Sequence, residues 1–181
     1  MTVSDDPAKA LRNLPFTYAE RGWTAWSEPP AGYRAAQRSI VLGTGTEVFE
    51  RAATALMQWR MHACAGLDLV TTDQVAVVGA RVCLRIGLGP FALTAPCQVV
   101  YTVSEDYRRG FAYGTLTGHP VSGEESFIVG RAQADDRVTF TVRAFSRPAT
   151  WPARLAGPFT ELAQRAGAGR YLQAMTMLAR G

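Results

Sequence analysis

The sequence predicts an α+β fold in which a strongly curved antiparallel sheet, of helix-grip or near-closed β-barrel form, encloses a cavity. Three observations carry this. From Leu67 to Arg147 the chain reads as strand after strand, separated by turn chemistry. An amphipathic helix precedes that run, and a second apolar helical stripe follows it. A meander of about six strands can bury one face only by curling around a helix or closing on itself. The 181 residues are expected to form one domain.

Residues 1–31 are irregular, punctuated by Pro7, Pro15, Pro29 and Pro30, and carry Phe16, Tyr18, Trp23 and Trp26. Exposed tryptophans are costly, so this aromatic arm is expected to pack on the body. Tyr33–Leu42 alternates as a strand does. A helix then opens at Gly43–Glu47, where Thr44 and Glu47 have capping-box spacing, and Val48, Ala52, Ala55 and Trp59 share one stripe. It is expected to reach about Met61, with Gly66 ending the connection.

Strand segments follow near 67–71, 74–86, 90–103, 108–117, 124–132 and 137–146. Their turns are Thr72-Asp73, Gly87/Gly89-Pro90, Glu105-Asp106, Gly118–Gly123 and Ala134–Asp136. Beyond Pro148 and Pro152, Pro158 suits the first position of a long helix near 158–179. Phe159, Leu162, Ala166, Tyr171, Met175 and Leu178 supply its apolar face, and Gly167 and Gly169 predict a bend or close contact.

Hairpin arithmetic across the last four strands gathers Val99, Tyr101, Phe111, Tyr113, Phe127, Val129, Phe140 and Val142 on one inner face. Gln98, Thr102, Gly110, Gly114, Glu124, Ser126, Thr139, Thr141 and Arg143 fall on the other, which is expected to face solvent. The misfit is Glu125, which lands on the apolar face beside Thr115 and Cys97, with Ser146 one step along from Ala144. A buried carboxylate costs several kcal/mol unless paired, protonated or hydrogen-bonded. Either Glu125 pairs with an arginine such as Arg147, or it is a carboxyl of raised pKa able to act as acid or base. His119, in the Leu116–Pro120 loop, is either a loop histidine bonding backbone or a second proton carrier. His62, at a helix end, reads as structural.

Net charge is +4, but every basic residue except Lys9 is arginine, and these are scattered, with Arg108-Arg109 the densest pair. Nucleic-acid binding usually needs a continuous basic stripe, so no nucleic-acid partner is expected. No apolar run approaches the roughly 20 residues of a membrane span, and no membrane insertion is expected. The acidic start Met1–Asp6 is unlike a secretory leader, and Cys64, Cys83 and Cys97 read as reduced thiols, which together predict a cytoplasmic protein. Two histidines 57 positions apart predict no metal site. Gly43-Thr44-Gly45 lacks the remainder of a nucleotide loop, and no Gly-x-Ser-x-Gly elbow occurs.

The string Gly110-Phe111-Ala112-Tyr113-Gly114-Thr115-Leu116-Thr117-Gly118-His119-Pro120, with Gly123-Glu124-Glu125 and Phe127 after it, is distinctive. Pro96-Cys97, Val99-Val100-Tyr101, Ala144-Phe145-Ser146-Arg147-Pro148 and Phe16-Thr17-Tyr18 accompany it. Together they resemble a domain-of-unknown-function family of small bacterial and plant proteins, from about residue 15 to 178. Ala95, Gln98 and Ser126 depart from the asparagine and two arginines expected there. The resemblance implies a fold similar to START-like helix-grip proteins and carries no assigned activity. Cavity folds of that kind include polyketide cyclases of secondary metabolism, among them enzymes that close spiroacetal rings.

These readings point to a cofactor-independent enzyme promoting acid–base cyclisation, dehydration or isomerisation of a small hydrophobic, oxygenated molecule. Glu125 would carry the proton, with His119, Tyr113 and Thr115 assisting. Tyr101, Cys97, Phe111, Phe127 and Ser146 would line the substrate. The alternative is a non-catalytic carrier of lipid or isoprenoid ligands, and a third class is a partner-binding protein with a filled core. A homodimer is compatible with all three.

Overall fold

The computed structural model describes residues 11, 13–26, 28–86, 93–148 and 157–180, with backbone alone for 86 and 157–166. Seven antiparallel strands form one sheet: β1 (Arg34–Thr44), β2 (Asp68–Thr71), β3 (Arg81–Ile86), β4 (Leu93–Ser104), β5 (Arg108–Thr115), β6 (Val121–Arg131) and β7 (Arg137–Pro148). Their order is β1-β7-β6-β5-β4-β3-β2, a meander to which the first strand is added at the β7 edge. Helices α1 (Thr46–Met57) and α2 (Arg60–Cys64) lie between β1 and β2, and α3 (Gly157–Arg180) closes the chain. The fold is therefore the curved sheet gripping helices that the sequence predicts. The turn at Gly87–Pro90, Pro152, and the side chains of Phe159, Leu162 and Ala166 lie outside what is described.

Alternation sets the two faces of the sheet. The concave face presents Val82, Val99, Phe111, Tyr113, Phe127, Val129, Phe140 and Val142, all buried, to Phe49, Leu56, Met61, Tyr171, Ala174 and Met175 of the helices. This is the main core. On the convex face a smaller cluster joins Tyr18, Tyr33 and Phe145 beneath the N-terminal arm. Ring centroids there lie 5.7 Å (Tyr18–Phe145) and 5.1 Å (Tyr33–Phe145) apart, near edge-to-face.

Several expectations are corrected. The convex face does not face solvent throughout: Glu124 and Ser126 are each 3% exposed, because the arm lies over them. The arm itself is only partly packed, since Trp23 and Trp26 remain 41% and 68% exposed. The capping box does not form. Gly45, at φ 91°, is the residue before α1, with no side-chain cap, and Glu47 instead faces Arg51 at 3.5 Å. The helix stops at Met57, and Trp59 reverses the chain at φ 63° before α2 begins. Neither Gly167 nor Gly169 meets a close neighbour, and α3 runs through both.

Register explains the rest. Cys97 faces Thr115 and Val99 faces Tyr113 as expected, but a bulge at Val100 pairs Tyr101 with Ala112. One extra residue turns every later side chain over, so Tyr101 points to the convex side. There its hydroxyl lies 2.9 Å from Thr24 Oγ1. The β5–β6 turn is tighter than Gly118–Gly123, so Tyr113, not Thr115, faces Glu125, and Phe111 faces Phe127. The β6–β7 register is the expected one, with Glu125 opposite Ala144 and Phe127 opposite Val142.

Candidate functional site

Glu125 is the carboxylate of the concave face. It is half-buried, and among the described residues its Oε2 accepts one hydrogen bond, from the Tyr113 hydroxyl at 3.2 Å. Burial among apolar walls pushes its carboxyl up to about 7, the Tyr113 hydrogen bond opposing only part of that rise. The rival partner, Arg147, stacks 4.6 Å over the Tyr33 ring instead. Tyr113 is buried and stands beside Tyr171 of α3, and both phenols are raised by burial first and by the nearby Glu125 among the lesser causes. Cys97 is buried close enough to Glu125 to feel its charge, though burial is the main reason its thiol is raised.

The remaining wall is aromatic. Phe111 and Phe127 lie 5.4 Å apart, and Tyr113 and Phe127 5.1 Å. Among these rings sits His62, which sequence reasoning set aside as a helix-end residue. It is 0% exposed, and among the described residues neither ring nitrogen has a hydrogen-bond partner. Burial pushes the imidazole down to about 3, so it is neutral at pH 7. Tyr171 and His62 are the residues that reading missed. Tyr171 was legible as one point of an apolar stripe, whereas nothing local marked His62.

Other expected site residues lie elsewhere or are already committed. The Thr115 hydroxyl donates to Gly123 O (3.1 Å), accepts from Gly123 N (2.9 Å), and meets Thr17 Oγ1 at 2.5 Å. It ties the arm and the β5–β6 turn together. His119 accepts the Val121 amide at Nδ1 (3.1 Å), with the Val121 carbonyl 2.9 Å away, and burial lowers it to about 4. Among the described residues no hydrogen bond joins His119 to Glu125. Ser146 is half-buried and faces Gly123 across the β6–β7 ladder. Tyr101 belongs to the convex face, as above.

That face holds a second buried carboxylate. Glu124 Oε2 accepts from the Tyr18 hydroxyl and the Gly22 amide, both at 2.7 Å, and Oε1 accepts from the Thr24 amide (2.9 Å) and hydroxyl (2.5 Å). All four donors come from the arm. Each carboxylate oxygen accepts two hydrogen bonds, leaving little capacity for a substrate. Glu124 is a clasp, and Glu125 is the carboxylate with capacity to spare. No three His, Cys, Asp or Glu side chains converge as metal ligands among the described residues, and no described helix is long and apolar enough to cross a membrane.

Solved structures of similar fold share little sequence with this chain. The Zhui aromatase/cyclase from Streptomyces sp. R1128 superposes with a TM-score of 0.57 at 16% identity, covering 82% of this chain and 94% of that one. Norcoclaurine synthase from Thalictrum flavum, in complex with a transition-state analogue, gives 0.57 at 10% identity over 84% and 97%. A hypothetical protein from Helicobacter pylori gives 0.64 at 11% identity over 83% and 90%. At these identities the likeness concerns the fold alone. Nearer in sequence is a UPF0548 protein of Deinococcus radiodurans, 34% identical over 173 residues, 90% of this chain and 87% of that protein. A UPF0548 protein of Arabidopsis thaliana is 28% identical over 134 residues, and the match spans 63% of its length. Residues 17–174 match the family described as a domain of unknown function, DUF1990, and the chain belongs to that family.

Proposed function

We propose that the protein is a small-molecule enzyme that moves a proton on a hydrophobic, oxygenated substrate held against the concave face. The observation that supports it best is the half-buried Glu125 carboxyl, raised to about 7 and hydrogen-bonded by the Tyr113 hydroxyl. A carboxyl tuned near neutrality can donate a proton and take one back at the same pH. In a ring closure, the neutral acid would protonate a substrate carbonyl oxygen while a substrate hydroxyl attacks the carbonyl carbon. The C–O bond forms, the C=O π bond breaks, and the proton of the attacking hydroxyl returns to Glu125. The balance closes with no redox partner. Holding one conformer of the substrate supplies much of the rate in such a reaction. The fold shared with an aromatase/cyclase is compatible with this reading and names no substrate.

The carrier reading is favoured by the apolar remainder of the wall, Val82, Val99, Phe140 and Val142. One experiment separates the two. The protein is incubated with hydrophobic hydroxyketones, and products are followed by mass spectrometry and NMR for ring closure or loss of water. Turnover that falls about 10²–10⁴-fold in Glu125→Gln, with affinity retained, supports the enzyme. Tight binding without turnover by the unmodified protein makes it a carrier.

A further inference from the structure

His62 is held in place by a strained turn. Trp59 adopts φ 63°, a left-handed conformation that a bulky L residue rarely occupies. Its amide bonds Leu56 O (3.1 Å), its indole Nε1 donates to Asp73 O (3.2 Å), and its ring packs 5.0 Å from Phe111. The reversal ends α1 and swings α2 inward, and the His62 amide closes onto Trp59 O at 3.1 Å. The imidazole then lies 5.3 Å from Tyr171, 5.6 Å from Phe127, 5.7 Å from Trp59 and 5.9 Å from Tyr113. Two of those rings, Tyr113 and Tyr171, are the ones that stand at Glu125.

A buried polar group without a partner destabilises the fold. His119 shows how this fold satisfies a structural histidine, through Val121. Among the described residues neither His62 nitrogen is satisfied, where a phenylalanine would fill an aromatic box without leaving one. We propose that His62 is the deep anchor of the ligand site, and that the ligand is an uncharged, flat aromatic or conjugated molecule. One hydroxyl or carbonyl oxygen would meet the His62 ring, and a second oxygen would meet the Glu125–Tyr113 pair. The neutral imidazole offers one donor and one acceptor and no positive charge, so a carboxylate or phosphate gains nothing there. This assignment rests on the concave-face site proposed above.

The test uses the whole 181-residue chain with ¹⁵N-labelled histidine rings, ¹³C-labelled glutamate carboxyls and three probes: 2,7-dihydroxynaphthalene, naphthalene and 2-naphthoate. The diol is expected to shift the His62 ring nitrogens and the Glu125 carboxyl carbon while leaving His119 unchanged. Naphthalene should bind about 25-fold to 100-fold more weakly, the loss of two hydrogen bonds, and the anion more weakly again. His62→Phe should reduce the preference for the diol to the part owed to the Glu125–Tyr113 pair, about fivefold to tenfold, and His62→Gln should recover part of the remainder. His62 nitrogens unmoved at saturating diol, with Glu125 responding, overturn the anchor alone. If no probe binds, or none moves Glu125, the concave-face site fails and the anchor with it. The nitrogen shifts are read on the unmodified protein, so a variant that folds poorly does not remove the test.

Discussion

Glu124 and Glu125 are consecutive in β6, yet their carboxyls serve opposite sides of one sheet. Glu124, on the convex side, accepts four hydrogen bonds from the arm, whereas Glu125, on the concave side, accepts one from Tyr113. The period-2 alternation of a strand makes this separation automatic. Two identical side chains thereby meet different surroundings, one committed to holding the arm and one with acceptor capacity to spare.

The clasp is open to direct test. In Glu124→Gln one acceptor oxygen becomes an NH₂ group that faces two donors, so at least one buried donor is left unpaired. The expected loss is about 1–3 kcal/mol, read as a lower urea midpoint. Limited proteolysis should cut the arm before the body unfolds. Glu125→Gln should leave the arm protected, because none of the arm's donors reaches it.

Gly114 makes the clasp geometrically possible. A Cβ there would lie 2.0 Å from the Tyr18 hydroxyl oxygen and 2.7 Å from its ring, so the phenol reaches Glu124 only across a bare backbone. Gly114→Ala should therefore displace Tyr18 and lower stability by an amount similar to Tyr18→Ala. The two changes share one cause, so the double variant should lose little more than either single one. A fully additive loss in thermal unfolding would show that Gly114 matters for another reason.

The sheet, the turns at Glu105-Asp106 and Ala134–Asp136 and the β6–β7 register could be read from the sequence because local alternation and turn chemistry determine them. Tyr101 could not be placed, since the bulge at Val100 sits in an uninterrupted Val-Val-Tyr run with no glycine to mark it. Thr115 and Glu125 were brought opposite each other by a loop counted two residues too long on the β6 side. The burial of Glu124 depends on donors 100 to 106 residues away, a separation that no local pattern encodes. His62 was obscured by its position at a helix end, where a histidine has an adequate local explanation. Only the convergence of five aromatic rings in three dimensions shows that this explanation is incomplete.

The two sides of the candidate site should also oppose each other in the pH dependence of stability. Glu125 rises in the fold from its ordinary 4.5 to about 7, so between those values the native state holds a proton that the unfolded chain has released. Its contribution is greatest below pH 4.5 and is lost as pH rises to 7. His62 falls from 6.5 to about 3 and His119 from 6.5 to about 4, both through burial. Their contributions are present above pH 6.5 and are lost as pH falls through this range. Glu20, lowered chiefly by its own backbone, and Asp135, lowered chiefly by Arg137, act only below pH 4.5. Between pH 4.5 and 6.5 the three buried groups thus leave a net uptake of one proton on unfolding. Each proton corresponds to a slope of about 1.36 kcal/mol per pH unit. Removing the opposing group in Glu125→Gln should steepen the rise of stability with pH by one proton. His62→Phe should flatten it by one. Urea unfolding at half-unit pH steps reads both slopes, and a Glu125→Gln slope equal to that of the unmodified protein would show that Glu125 titrates as an ordinary carboxylate.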